Sequence, residues 1–266
     1  REIVSEEGLT VDETEFQKQM EMQRSRAREA RGDMEDAAWE EDIFAVLSGN
    51  TVFDGYQKES VDAKILGIGK DGALADAASE GDEVVLVLDQ TSFYAESGGQ
   101  IGDSGVIEGD GFAVRIDDTK KRNGKFLHRG VVTEGTATVG AGAVTRYDKE
   151  RRLAIGRNHS AVHLLQAALK NVLGDHVAQA GSYVSEDRLR FDFSHFAAMS
   201  GDELKAVEEQ VNRKILEDLS IVCEEKPIDE ARKMGAVALF SEKYGAVVRV
   251  VRMGDFSMEL CGGTHA

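Results

Sequence analysis

Residues 112–132 read FAVRIDDTKKRNGKFLHRGVV, two short apolar runs at Phe112–Ile116 and Phe126–Val132 with Lys120, Lys121, Arg122, Asn123 and Gly124 between them. Runs of this length bounded by Asp, Asn and Gly read as strands and turns, with the Lys120–Arg122 cluster in the turn. Glu83–Asp89 is a third such run, and the same punctuation recurs from about residue 50 to 148. Short strands at this spacing predict a small antiparallel barrel.

The pattern changes on either side. Upstream, residues 1 to about 45 are rich in charge and Met. Thr10 and Glu13 make a capping box, and Phe16, Met20, Gln23 and Ala27 follow at helical spacing, which predicts an amphipathic helix. Its Arg24, Arg26, Arg28 and Arg31 suit a solvated face or a grip on RNA. Downstream, from residue 149, helices and strands mix. A helix is expected near 158–173, a strand near 188–193, and a second helix from Ser200 to Leu219. There Ser200 and Glu203 repeat the capping box, and Leu204, Val207, Val211, Ile215 and Leu219 form an apolar stripe. Strands follow near 246–252 and 256–260. Alternation in Leu189–Ser194 turns Arg190, Asp192 and Ser194 to one side, so Asp192 faces either a pocket or a surface ion pair. Cys223, after Ile221 and Val222, reads as a buried small hydrophobe.

Composition bounds what these elements can do. The chain has 266 residues, 41% of them hydrophobic, which is enough to bury a core in one large or two ordinary domains. Two cysteines make no disulfide framework, and a reducing cytoplasm is the expected location. No stretch approaches the roughly 20 apolar residues that span a bilayer, and the start resembles no secretory signal. The first residue is not Met, so a piece of something longer is expected. A net charge of −17 argues against a protein that coats nucleic acid nonspecifically. Basic residues nonetheless cluster at Lys120–Arg122 and between Arg146 and Arg157, so an RNA-facing patch or an ordinary solvated loop fits either cluster.

The chemistry concentrates in two short segments. Asn158–His163 reads NHSAVH and places His159 and His163 four apart on the expected helix, where both imidazoles leave one face. Alone, such a pair is a metal half-site or two surface histidines. The last residues, CGGTHA, add Cys261 and His265 across Gly262 and Gly263. One thiolate and three imidazoles suit zinc, at about 2.3 Å to sulfur and about 2.0 Å to nitrogen. No HExxH glutamate is present, which disfavours a metalloprotease. His128, His176 and His195 read as structural or surface residues.

The pair HSAVH and CGGTH resembles the HxxxH and CxxxH signature of the editing domain shared by alanyl- and threonyl-tRNA synthetases and the freestanding alanyl-tRNA editing proteins. FYAESGGQIGDSG (Phe93–Gly105) resembles the glycine-rich segment of the barrel in the alanyl branch. RFDFSH (Arg190–His195), ALFSEKYG (Ala238–Gly245) and MGDFSMELCGGTH also look like that branch, and the leading helix is similar to the connector from its tRNA-recognition region.

The resemblance, to a bacterial-type alanyl-tRNA synthetase, covers nearly the whole chain and implies an α+β fold. A connector helix (1–48) is followed by a translation-factor-like antiparallel barrel (49–148) and a mixed α/β zinc-binding editing domain (149–266). It implies an aminoacyl-tRNA deacylase within an alanine-tRNA ligase, hydrolysing Ser-tRNA(Ala) and Gly-tRNA(Ala) at one zinc ion held by His159, His163, Cys261 and His265. ATP would be used only by the aminoacylation core, which nothing here resembles. Gln179 and Val162 would line the substrate; many bacterial relatives carry Thr at the position of Val162. Lys120, Lys121, Arg122 and Arg157 would meet tRNA. Expected partners are the acceptor end of tRNA(Ala) and the remainder of a synthetase, with no membrane. Two competing readings are a non-catalytic, zinc-stabilised tRNA-binding module and an unrelated zinc hydrolase of small esters.

Overall fold

The computed structural model describes residues 12, 14–20, 22, 43–237 and 245–266, which fall in two compact units, Arg1–Ala45 and Val46–Ala266. In the first unit, residues 14–20 are helical, and the Asp12 carboxylate accepts the Glu15 amide at 3.0 Å, as an N-cap does. Phe16, expected on the apolar face, is exposed. The expected capping pair Thr10 and Glu13, together with Gln23, Ala27 and the four arginines, lies outside the described residues.

The second unit begins with the barrel. Its strands are β1 (Ser60–Lys70), β2 (Glu83–Leu88), β3 (Gly105–Gly109), β4 (Phe112–Arg122), β5 (Lys125–Thr138) and β6 (Gly142–Tyr147). They run in the order β1-β2-β5-β4-β3-β6, every neighbour antiparallel, and β6 pairs back onto β1 to close a six-stranded ring. Alternation explains the inward face. In β1, Val61, Ala63 and Ile65 are buried while Ser60, Asp62 and Lys64 are exposed. Ile65, Leu86, Leu88, Ile107, Val114 and Ile116 fill the interior, so this is a packed barrel and not a channel.

Strand β4 is longer than its apolar run. It continues through Lys120, Lys121 and Arg122, and only Asn123 (φ 47°) and Gly124 (φ 78°) form the turn, with Arg122 paired to Lys125. Both turn residues adopt the left-handed backbone that a two-residue hairpin needs. The basic run therefore belongs to a strand and not, as its composition suggested, to the turn. A strand facing solvent on one side continues through charged residues without loss.

The rest of the unit comprises helix α1 (Lys149–Leu173), the hairpin β7 (Ala178–Val184) and β8 (Leu189–Ser194), helix α2 (Gly201–Leu216), β9 (Ile221–Pro227), the short helix α3 (Ile228–Lys233), β10 (Val247–Met253) and β11 (Ser257–Leu260). The sheet β9-β10-β11 is antiparallel. Ala168 and Leu169 of α1 pack with Val207 of α2 and with Phe191 and Phe193 of β8.

Three expectations change here. Helix α1 begins at Lys149 and not near residue 158, because Asp148 caps it by accepting the Arg151 amide; its charged first turns hide the apolar period. Helix α2 keeps the Ser200–Glu203 capping box but stops at Leu216, and of the predicted stripe only Val207 is buried, with Leu204 and Ile215 exposed. Cys223 is exposed, because β9 is the edge strand of its sheet.

Candidate metal centre

His159 and His163 lie one turn apart on α1, and Cys261 and His265 come from the segment that leaves β11. The His265 ring is 4.6 Å from that of His159 and 4.7 Å from that of His163. One ligand atom from each of the four residues lies within 4.8 Å of all the others. Cys261 Sγ is 3.3 Å from His159 Nε2. Gly263 permits this approach, since a Cβ there would overlap the His159 ring.

The surroundings turn the same edge of each imidazole inward. His159 Nδ1 is 2.7 Å from Gln100 Oε1, His265 Nδ1 is 3.3 Å from Ser160 Oγ, and His163 Nδ1 faces Glu259 Oε2 at 3.4 Å. In each ring Nε2 is left for the centre, and His265 Nε2 is buried with no protein partner. Burial lowers the imidazoles of His159 to about 4 and His163 to about 3, and that of His265 well below the usual value, with Arg249 adding to all three shifts. They are neutral at pH 7, the form that binds a metal. Burial pushes the Cys261 thiol up to about 11. Arg249 NH1 donates to the carbonyls of Cys261 (3.0 Å) and Gly263 (2.8 Å), clamping the turn between Cys261 and His265. The donor set and the orphaned, buried Nε2 fit zinc.

A cavity of about 220 Å³ opens beside this cluster, lined by His159, His163 and Cys261, by Val162, Gln179 and Ser182, and by Tyr94, Ser97 and Gly98 from the barrel. Gln179 Oε1 is buried and unpartnered there. None of Lys120, Lys121, Arg122 and Arg157 lines the cavity. Arg157 is exposed on α1, and Lys121 lies over the Phe126 ring. Asp192 is exposed and paired with Arg190 at 3.1 Å. His128 is buried in the barrel, and His176 bonds His195 on the surface at 2.8 Å. Sequence reading missed Gln100, Glu259 and Arg249. Gln100 and Glu259 each stand inside a motif already singled out, and Glu259 carried a further signal, an acid set between apolar residues on a short strand.

Comparison with known proteins identifies the family. A family model described as tRNA synthetases class II (A) matches residues 1–151, more than half of the chain. Over its whole length the chain is 53% identical to the alanine-tRNA ligase of Acetivibrio thermocellus, 49% to that of Thermoanaerobacter sp. and 48% to that of Clostridioides difficile. The chain belongs to the alanine-tRNA ligase family. It spans 30% of the length of these curated relatives. A second family model, the threonyl and alanyl tRNA synthetase second additional domain, matches residues 248–266, the part of this alanine-tRNA ligase family member that carries Arg249, Glu259, Cys261 and His265. Among the described residues, no helix is long and apolar enough to cross a membrane.

Proposed function

We propose that the cluster is a zinc site serving an editing deacylase, which hydrolyses the ester joining wrongly attached serine or glycine to the terminal ribose of tRNA(Ala). The observation that carries this reading is the convergence of four ligand atoms within 4.8 Å beside a cavity that also presents Gln179 and Val162. A hydrophobic pocket rejects a smaller amino acid, or one bearing an extra hydroxyl, only weakly, so a synthetase for alanine gains from a second, hydrolytic sieve. Zinc, when bound, would be held by His159, His163, Cys261 and His265; it would polarise the ester as a Lewis acid if one of these ligands gave way, and would otherwise only position the substrate. Gln179 Oε1 would accept a hydrogen bond from the amino group or hydroxyl of the bound aminoacyl group, and Val162 would wall its side chain.

On this reading 1–48 is a connector, 49–148 the barrel and 149–266 the editing domain, working in the cytoplasm with the remainder of a synthetase. The acceptor end of tRNA(Ala) is the partner, with Lys120, Lys121, Arg122 and Arg157 as phosphate contacts. ATP serves a separate aminoacylation core.

The four-ligand set also favours a second reading, a non-catalytic tRNA-binding module, because structural zinc sites are closed by four protein ligands and catalytic ones keep a position open. Hydrolysis of Ser-tRNA(Ala) separates the two, with Ala-tRNA(Ala) as control, Cys261→Ala as the matched variant and zinc content measured on the same samples. Serine release that disappears in Cys261→Ala supports the deacylase. A folded, zinc-loaded chain that releases no serine supports the module.

A further inference from the structure

The barrel contributes one side chain that reaches both halves of the ligand set. Gln100 is fully buried. Its Oε1 lies 2.9 Å from the Thr264 backbone N–H and 2.7 Å from His159 Nδ1, and its Nε2 lies 2.9 Å from Thr264 Oγ1. An amide oxygen and nitrogen are otherwise interchangeable by a flip, but a backbone N–H only donates, so the oxygen must face Thr264. That same oxygen faces His159 Nδ1, which must then carry the ring proton. The His159 lone pair is therefore on Nε2, the atom 3.3 Å from Cys261 Sγ.

The amide is itself held firmly. The backbones of Ser97 and Gln100 exchange hydrogen bonds of 3.1 and 3.0 Å, Ile101 N–H donates to the Val184 carbonyl of β7, and Asp103 bonds Arg152 of α1. Thr264 lies between Gly263 and the ligand His265, so the hydrogen bonds from Gln100 fix the C-terminal ligands as well as the helical one.

We propose that Gln100 is a positioning residue for the metal centre: it sets the His159 tautomer and docks the Cys261–His265 segment, so that metal affinity is governed from the barrel. The proposal rests on the metal reading above and not on the deacylase reading. Its readout is metal affinity, so a chain that binds zinc without hydrolysing any ester still decides it.

The test is zinc affinity of the whole chain by chelator competition, with the visible absorption of the cobalt(II) form as a report on ligand geometry. Gln100→Met keeps the length of the side chain and removes the acceptor. It is expected to weaken zinc binding by about tenfold to a hundredfold and to alter the cobalt spectrum, with the circular dichroism unchanged. Gln100→Glu keeps an acceptor for both donors and is expected to bind zinc at least as tightly as the unsubstituted chain. Folded Gln100→Met with unchanged affinity and spectrum overturns the proposal. If that variant does not fold, Gln100→Glu decides: a folded Glu variant that loses tenfold in affinity overturns it, and one that keeps its affinity supports it. An unsubstituted chain that takes up no zinc overturns the proposal together with the metal reading.

Discussion

Arg152 in the first turns of α1 is bound to Asp103 in the barrel loop, its Nε 2.8 Å from both carboxylate oxygens, and both side chains are more than nine-tenths buried. The guanidinium also donates to the carbonyls of Gly55 (2.9 Å) and Ser92 (3.0 Å) and lies 3.7 Å from the centre of the Tyr147 ring. These hydrogen bonds run to barrel backbone or to Asp103, so the pair joins the helix carrying His159 and His163 to the loop carrying Gln100. Arg152→Met would leave a buried carboxylate without its partner, a change that typically costs about 3–5 kcal/mol. At roughly 2–4 °C per kcal/mol for a unit of this size, the melting temperature should fall by about 10 °C. A double substitution, Arg152→Met with Asp103→Leu, should recover part of that loss, since it removes the unpaired charge but leaves the Gly55 and Ser92 carbonyls and the Tyr94 N–H without these partners. Thermal melts of the three variants check this; equal loss in single and double variants would show that the bridge matters through packing and not through charge.

His128 gives the fold a pH dependence that has nothing to do with the metal centre. It is fully buried in the barrel, Nδ1 3.1 Å from the Leu86 carbonyl and Nε2 2.8 Å from Thr91 Oγ1, and desolvation lowers it to about 4. A histidine whose folded value lies below its unfolded one is less protonated in the native state. Between pH 6.5 and about 4 the unfolded chain therefore binds more protons, and stability falls as the pH falls through that window. The full shift corresponds to at most about 3 kcal/mol. Urea unfolding at pH 7 and pH 4.5 should show the unsubstituted chain losing more stability than His128→Gln; identical losses in the two would assign the acid sensitivity to other groups.

The barrel and the His/Cys cluster were legible in the sequence for different reasons. The barrel showed itself because one face of each strand must be apolar, as in Val61, Ala63 and Ile65, whatever occupies the other face. The cluster showed itself as two half-sites because His and Cys at short spacings within a helix or a turn stay close however the chain folds. What pairs those segments with their surroundings left no periodic trace. Arg152 looked like one more member of a basic surface cluster, since sequence gives charge but not burial, and Cys223 looked buried, since hydrophobicity does not tell an edge strand from a central one. Gln100 is 59 residues from His159 and 164 from Thr264. Contacts over such separations depend on how the barrel loop docks against α1, which no local pattern encodes.

Glu259 should be worth having only when the metal is present. Its Oε1 accepts from Ser257 Oγ at 3.2 Å, while Oε2 faces His163 Nδ1. Burial makes this acid a burden on the metal-free fold and pushes its carboxyl up to about 8, with Ser257 and Lys170 opposing the shift only in part. A carboxylate behind a metal-bound imidazole orients the ring and makes it a better donor. Glu259→Gln is therefore expected to leave the zinc-free chain as stable or more stable, and to weaken zinc binding by about tenfold or more. Melting curves with chelator and with excess zinc separate the two effects. A variant that loses stability equally in both conditions would assign Glu259 a purely structural role.

If the cavity serves the proposed deacylase, Val162 bears on how serine would be told from alanine. It is 4% exposed, packs with Ile155 and Val184, and contributes to the cavity wall next to both histidines of α1. An isopropyl group offers a seryl hydroxyl only van der Waals contact, and no polar atom at this position distinguishes it from a methyl group. Val162→Thr preserves the shape and adds a hydroxyl, which in a helix can also bond a backbone carbonyl one turn back, so a modest loss of stability is expected. One added hydrogen bond to the substrate is worth about 0.5–1.5 kcal/mol. The ratio of kcat/KM for Ser-tRNA(Ala) to that for Ala-tRNA(Ala) should therefore rise about threefold to tenfold in Val162→Thr. If both rate constants move together, the side chain at this position acts on folding or on placement of the terminal ribose, and the discrimination comes from Gln179 and the backbone around it.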